Sequence, residues 1–277
     1  MTRKQLIEQI HLKRSYLCVG LDTDITLIPK HLQGHPNAIV DFNKQIIDAT
    51  KDLCVSYKIN TAFYEAMGIP GWKAMEETLN YIPMEHFTIA DAKRADIGNT
   101  SFQYAKAFFE TLPFDAITLV PYMGEDSITP FLKYEQKWGI VLGLTSNSGS
   151  VDFEQLKLAD SVDGGSGQQG ELLYERVLRK VSSWGNTGNL MFVIGATKAS
   201  ELADIRKIIP DHFLLVPGVG FQGGSLSEVS KYGMNKDCGL LVNVSRAIIY
   251  AGEKEDFAAE ARAIAQQYQS EMAGYIN

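Results

Sequence analysis

No stretch of the 277 residues approaches a long apolar run, and a membrane-crossing helix needs about 18 or more consecutive apolar positions. The opening MTRKQLIEQIHLKRSY carries charges every few residues and lacks the apolar centre, roughly 7–15 residues long, of a secretory signal. Both absences predict a cytoplasmic protein with no membrane partner. Cysteine is scarce and odd in number: Cys18, Cys54 and Cys238 lie within or beside apolar runs, which excludes a disulfide scaffold and predicts buried, reduced thiols. Positive charge is in deficit, 26 Lys+Arg against 33 Asp+Glu for a net charge of −7. No overall positive field is left to hold nucleic acid or an anionic membrane, so an anionic ligand needs a local site. Histidine is also rare. Of the five, only His31 and His35 have a spacing that could suit a metal, and Gly34 and Pro36 break any helix there. With no H-E-x-x-H pattern and no Cys/His cluster, no metal is expected.

What remains is an ordinary globular composition, 45% hydrophobic and 21% charged. Apolar runs with strand character fall at Tyr16–Asp22, Val55–Asn60, Phe87–Lys93, Ala116–Pro121, Gly139–Ser146, Leu190–Thr197, Phe213–Gly220 and Leu240–Arg246. Several, such as ITLV, IVLG and FLLV, are apolar on both alternating faces, as a parallel strand buried on both sides requires. Helical spacing occupies Asn37–Lys51, Thr100–Thr111, Glu125–Trp138, Glu171–Ser183, Lys198–Ile209 and Asp256–Tyr275, and more faintly Trp72–Tyr81 and Ser225–Tyr232. Eight strand–helix units in 277 residues come to about 35 residues each, the scale of a βαβ unit. The pattern predicts an α/β fold, a (β/α)8 TIM barrel in a single domain spanning 1–277. The connection from Asn147 to Gly170, which ends in DGGSGQQG, reads as a long surface loop or lid.

The densest chemistry lies in TIADAKRADIGNT, Thr88–Thr100. Period-two alternation puts Asp91 and Lys93 on one face at the C-terminal end of the third strand, with Asp96 in the loop beyond. Active sites of such barrels form at that end. Lys58 stands similarly on the second strand and Asp22 ends the first, so neighbouring strand ends offer carboxylate, lysine, carboxylate and lysine. Charged residues at strand ends often merely meet water as surface ion pairs, which is the competing reading. If they converge, a lysine between carboxylates is held as ammonium, since each opposite charge at 4 Å and an effective dielectric near 20 contributes about 4 kcal/mol of gross attraction. Lys93 is then a proton donor rather than a Schiff-base nucleophile, which needs a desolvated or cation-flanked site. Such an array suits a reaction in which negative charge leaves the substrate and a proton replaces it, as in decarboxylation.

A second cluster, PGVGFQGG at Pro217–Gly224, follows the seventh strand, and Arg246 ends the eighth in LLVNVSRAI. Glycines let the main chain approach a ligand and aim its N–H groups at phosphate oxygens, and the loops after strands seven and eight are the usual phosphate site of this fold. Arginine adds a bidentate fork. Tight turns also account for many glycine clusters, so the loop alone carries little.

On these motifs the sequence resembles the orotidine 5′-phosphate decarboxylase family, in particular its longer bacterial branch, over nearly its whole length. DAKRADIGNT is similar to the family's D-x-K-x-x-D signature; PGVGFQGG with Arg246 resembles its phosphate motif, and GLD and YKIN its first two strand ends. The resemblance implies decarboxylation of orotidine 5′-monophosphate to UMP in de novo pyrimidine biosynthesis, by a homodimeric barrel using neither metal nor cofactor. Carried over by position, Lys58, Asp91, Lys93 and Asp96 form the catalytic array, with Asp96, Ile97 and Thr100 supplied across the dimer. Asp22 and Lys58 contact the ribose. Pro217, Gln222, the amides near Gly223 and Gly224, and Arg246 surround the phosphate. Ser146 in GLTSNSG reads the pyrimidine, with Thr145 a close competitor. Phe221–Ser225 and part of Asn147–Gly170 are candidate lids. Two departures, Ala95 where glycine is frequent and Phe221 where a smaller residue stands, remove no charged or donor group. The alternatives are a decarboxylase of the same barrel group acting on a sugar phosphate such as 3-keto-gulonate 6-phosphate with magnesium, and a noncatalytic phosphate-ligand module.

Overall fold

The structure, a computed structural model, describes residues 1–159, 170–220 and 223–276. Eight short apolar runs form eight parallel strands: β1 Leu17–Gly20, β2 Ser56–Asn60, β3 Phe87–Arg94, β4 Ala116–Leu119, β5 Trp138–Leu144, β6 Leu190–Ile194, β7 Phe213–Pro217 and β8 Leu240–Val244. They pair in chain order, and β8 returns to β1 with Cys18 opposite Asn243, closing the barrel. Closure leaves no strand edge unpaired, and burial on both faces explains why the runs carry β-branched and aromatic side chains without polar alternation.

Amphipathic helices cover the outside. Ala38–Thr50 buries Ile39, Val40, Phe42, Ile46 and Ile47 along one stripe, and Phe42 stacks on Phe257 at the start of Phe257–Ala273, centroids 5.1 Å apart. Trp72–Tyr81 and Ser225–Tyr232 materialise as Ile69–Tyr81 and Leu226–Gly233, the second capped by Ser225 Oγ accepting the Glu228 amide. Thr100–Thr111 starts earlier, at Gly98, and its last turn widens into a π-helix at Ala107–Thr111. Lys198–Ile209 divides into a 3-10 stretch at Ala196–Glu201 and an α-helix at Leu202–Ile208.

Glu125–Trp138 does not form as one helix. Only a 3-10 turn at Glu125–Ser127 and a single turn at Thr129–Leu132 appear. Gln136 then takes a left-handed φ of 59°, and the Trp138 amide donates to Asp115 O, drawing Trp138 into the sheet as the first residue of β5. The periodicity was real, but pairing with β4 claimed the tryptophan. Conversely, Arg3–Lys13 forms a helix that lacks an apolar stripe strong enough to announce itself; only Leu6 and Ile10 are buried, and Thr2 and Gln5 close a capping box at its start. Among the described residues no helix is long and apolar enough to cross a membrane.

Candidate active site

The C-terminal ends of the strands open into a cavity of about 280 Å³. Its wall is drawn from nearly every strand: Asp22 just beyond β1, Lys58 and Asn60 of β2, Asp91 and Lys93 of β3, Thr118 of β4, Pro217 of β7, and Asn243 to Arg246 at the end of β8. The charged groups converge. Lys58 Nζ donates to Asp22 Oδ1 at 3.1 Å and to Asp91 Oδ2 at 3.0 Å, while Lys93 Nζ donates to Asp91 Oδ1 at 2.6 Å. These are not surface pairs meeting water: the Lys58 side chain is 4% exposed and that of Asp91 11%.

Their protonation follows from the packing. Burial alone would lower the Lys58 pKa, but Asp22 and Asp91 outweigh that penalty and hold the ammonium well above the ordinary lysine range. Burial likewise opposes the Asp91 carboxylate, yet Lys58 and Lys93 keep its pKa well below the usual range. A carboxylate fixed as an anion between two cations is the centre of the site. Lys93, half exposed on the cavity side of Asp91, faces the open space.

The route by which Lys93 reaches Asp91 differs from simple alternation. Ala90 pairs with Ile117 but Arg94 with Leu119, so three residues of β3 stand opposite the single Thr118, and Lys93 adopts a left-handed φ of 48°. Bulges of this kind gather beside active sites because they re-aim a side chain. Arg94 anchors the far side of the bulge: it ion-pairs with Glu65, donates to Ala92 O at 2.9 Å, and lies 5.4 Å from the ring centroids of both Tyr104 and Phe108. Glu65 and Arg94, two charges the sequence leaves without a role, thus hold the strand that carries Asp91 and Lys93.

The side of the cavity expected to take an anion is built from Pro217, Gly218, Val219, Ser245, Arg246 and Ala247. Arg246 does not end β8; it opens a short helix, Arg246–Ile249, two residues after the strand stops. Gly218, Gly220 and Gly223 have φ of 96°, 77° and 86°, a region that L side chains rarely adopt, which explains their place in the loop. The Gly223 and Gly224 amides donate to Gly220 O and Gly218 O within the loop. Gln222 and Phe221 lie outside the described residues. Behind Ser245, a Cβ on Gly20 would collide with Ser245 Oγ, so the glycine of GLD lets β8 and its loop close over β1.

Other residues singled out in the sequence stand apart from this cavity. Asp96, Ile97 and Thr100 do not line it; Asp96 Oδ1 accepts the Ile97 amide, and Ile97 and Thr100 are exposed. Ser146 sits against Gly195 beyond β5 and also lies outside the cavity wall. Thr145 is committed elsewhere, its amide and hydroxyl each 2.7 Å from the Glu154 carboxylate, which fastens the beginning of the long connection. The Asn147–Gly170 connection, a candidate lid in the sequence, is described to residue 159 and from Gly170; most of DGGSGQQG falls outside. Sequence reasoning missed Asn60, Thr118, Asn243 and Ser245. For Thr118 in ITLV and Asn243 in LLVNV the signal was present: a lone polar side chain in an otherwise apolar strand. The three cysteines are buried, with thiol pKa values pushed up by burial to about 12, 11 and 12 for Cys18, Cys54 and Cys238, in keeping with inert thiols.

Fold and site together define a (β/α)8 barrel carrying a fixed ammonium–carboxylate array at its C-terminal mouth, beside a glycine- and arginine-bearing rim. Residues 15–264 match the family model described as orotidine 5′-phosphate decarboxylase / HUMPS family. An orotidine 5′-phosphate decarboxylase from Bacteroides fragilis is 56% identical over 276 residues, 99% of this chain and 97% of the relative. A solved OMP decarboxylase from Leishmania donovani superposes with a TM-score of 0.79 at 35% identity, covering 98% of this chain and 100% of that one. The UMP synthase of the same organism gives 0.84 at 37% identity over 98% of this chain, which spans only 55% of that longer protein. The chain belongs to the orotidine 5′-phosphate decarboxylase / HUMPS family.

Proposed function

We propose that this protein removes the carboxylate from C6 of orotidine 5′-phosphate, giving UMP and carbon dioxide in de novo pyrimidine biosynthesis, as a cytoplasmic homodimer. One observation carries the reading: the Asp91 carboxylate is clasped between Lys58 and Lys93 on a cavity whose other wall holds Gly218, Ser245 and Arg246. Full-length relatives named for this activity support it.

In the reaction the bond from C6 to the carboxylate breaks, carbon dioxide departs and the electron pair stays on C6. The Lys93 ammonium faces that developing charge and transfers a proton from Nζ to C6; solvent then reprotonates the amine. Because Asp22, Lys58 and Asp91 hold their charges in place beforehand, little reorganisation accompanies the step. Asp91 also sets a negative charge where the substrate carboxylate must lie, which favours its loss. Asp22 and Lys58 take the ribose hydroxyls, and Arg246, Gln222 and the Pro217–Gly224 loop the phosphate, whose distant binding energy helps align the ring; Ser146, beyond the cavity wall in this conformation, reads the pyrimidine only where the substrate extends past that wall. Asp96, Ile97 and Thr100 act in the partner's site. Their absence from the cavity lining of their own chain supports this, as do the exposed apolar side chains of this segment: Ile97 is 52% and Phe102 42% exposed.

The test is to add orotidine 5′-monophosphate to the purified protein and follow ultraviolet absorbance and carbon dioxide, with 3-keto-gulonate 6-phosphate plus magnesium as the competing substrate. Turnover of the first alone is expected; turnover of the second alone overturns the reading. In the same assay Arg246→Ala is expected to raise KM by about 10-fold or more while leaving kcat closer to wild type, as loss of a phosphate contact made equally in ground and transition states requires.

A further inference from the structure

The bulge in β3 leaves one question of geometry. A lysine at a φ of 48° is in a region that costs energy for any residue with a Cβ, so something must hold it there. The side chain directly opposite is Thr118, the single β4 residue facing the three of the bulge. Its hydroxyl is 1% exposed at the residue level and makes two contacts at once: it accepts the Lys93 amide at 2.9 Å and donates to Asp91 Oδ1 at 3.0 Å. One oxygen therefore ties the main chain of the proton donor to the carboxylate that its side chain also meets, at 2.6 Å. The three-membered loop of contacts runs from Lys93 N to Thr118 Oγ1 to Asp91 Oδ1 to Lys93 Nζ.

From this closed loop we infer that Thr118 is a positioning residue for the proton transfer: its hydroxyl fixes the left-handed conformation of Lys93 and thereby aims the ammonium into the cavity. Thr118 also gives Asp91 Oδ1 a second donor beside Lys93. Oδ2 takes Lys58, Oδ1 takes Lys93 and Thr118, so the carboxylate cannot turn without breaking a bond to each neighbouring strand. Serine can perform the same two tasks; valine, of nearly the same shape, can perform neither. Removing the hydroxyl leaves the Lys93 amide and one lone pair of Asp91 without that partner, and both hydrogen bonds involve groups whose geometry the reaction depends on. Arg94 and Glu65 brace the bulge from the outer side, but neither touches Lys93 N or Asp91, so they cannot substitute for the bridge.

The inference rests on the proposed decarboxylation for its kinetic readout but not for its structural one. Thr118→Val and Thr118→Ser are compared with wild type in saturating turnover of orotidine 5′-monophosphate, in affinity for UMP measured by calorimetry, and in crystal structures. The expected result is a fall in kcat of about 10- to 100-fold for Thr118→Val, with UMP affinity within threefold, and a return to within about threefold of wild-type kcat for Thr118→Ser. The crystal of Thr118→Val should show Lys93 relaxed from positive φ, with Nζ beyond hydrogen-bond reach of Asp91. Unchanged kcat in the valine variant, an equal loss in the serine variant, or a parallel loss of UMP affinity overturns the inference. If wild type itself fails to turn over this substrate, the proposed reaction falls, and the crystals still decide: Lys93 and Asp91 unmoved in Thr118→Val refutes the positioning role by itself.

Discussion

At the scale of single residues, Asp91 organises the site because three donors from three strands meet on its two oxygens. Lys58 is the cation that makes this affordable inside the barrel: it stands between Asp22 and Asp91 and is nearly sealed from water. Replacing it with alanine leaves two carboxylates facing each other at the cavity floor with one cation fewer. Breaking a buried pair from one side costs about 3–5 kcal/mol, which for a chain of this size corresponds to a melting temperature lower by roughly 5–9 °C. Calorimetry of Lys58→Ala at neutral pH measures it directly; a melting point within 2 °C of wild type, on the same scale, contradicts the account of Lys58 as the internal counter-ion. The charged members of the array were legible in the sequence because ionised side chains at the ends of apolar runs are conspicuous. Thr118 and Asn243 left a fainter mark, a single hydroxyl or amide inside an apolar strand, which shows that the position is unusual but not which groups it meets.

Elements were legible where they answer to a single period. All eight strands form at the expected runs, six wholly inside them and β3 and β5 each reaching one residue beyond, to Arg94 and back to Trp138, and helices with a strong stripe appear close to where their spacing puts them. Failures came where two demands met in one segment. Trp138 satisfies a helical period yet pairs in β5, and the end of β3 satisfies alternation yet bulges. Neither pairing partner is visible from local sequence. A titratable group at the other end of the barrel gives the elements a pH signature. His212, immediately before β7, lies edge-on to Phe192 at 5.5 Å, and neither ring nitrogen has a hydrogen-bond partner among the described residues. Burial, reinforced by the nearby Arg3 and Arg206 charges and only weakly opposed by Asp211, lowers its pKa from 6.5 to about 4. The unfolded chain binds the proton first, so between pH 6.5 and 4 stability rises with pH: the neutral ring contributes fully above 6.5, and up to about 3 kcal/mol is lost as pH falls through 4. Melting curves from pH 7 to 4 should show this decline, and His212→Leu should flatten it. An equally steep decline in the variant assigns the acid sensitivity to other groups.

For the whole molecule, the barrel brings residues 22, 58, 91, 118 and 246 to one mouth across more than two hundred positions of sequence, while Asp96, Ile97 and Thr100 remain outside the cavity of their own chain. This division is what a shared site between two copies requires. Mixing Lys93→Ala with Asp96→Ala should therefore restore activity, up to about one quarter of wild type if subunits exchange at random and each site draws both residues from different chains; no recovery after verified exchange contradicts sharing. The central claim is that the Lys93 ammonium, held by Asp91, delivers the proton that replaces carbon dioxide. Its most direct measurement is the saturating rate of orotidine 5′-monophosphate turnover by Lys93→Ala beside its affinity for UMP. A loss of about 10³-fold or more in rate, with affinity changed far less, is the expected pattern for an interaction made mainly in the transition state. A variant that turns over at close to the wild-type rate, or one that loses rate only as far as it loses affinity, contradicts the claim.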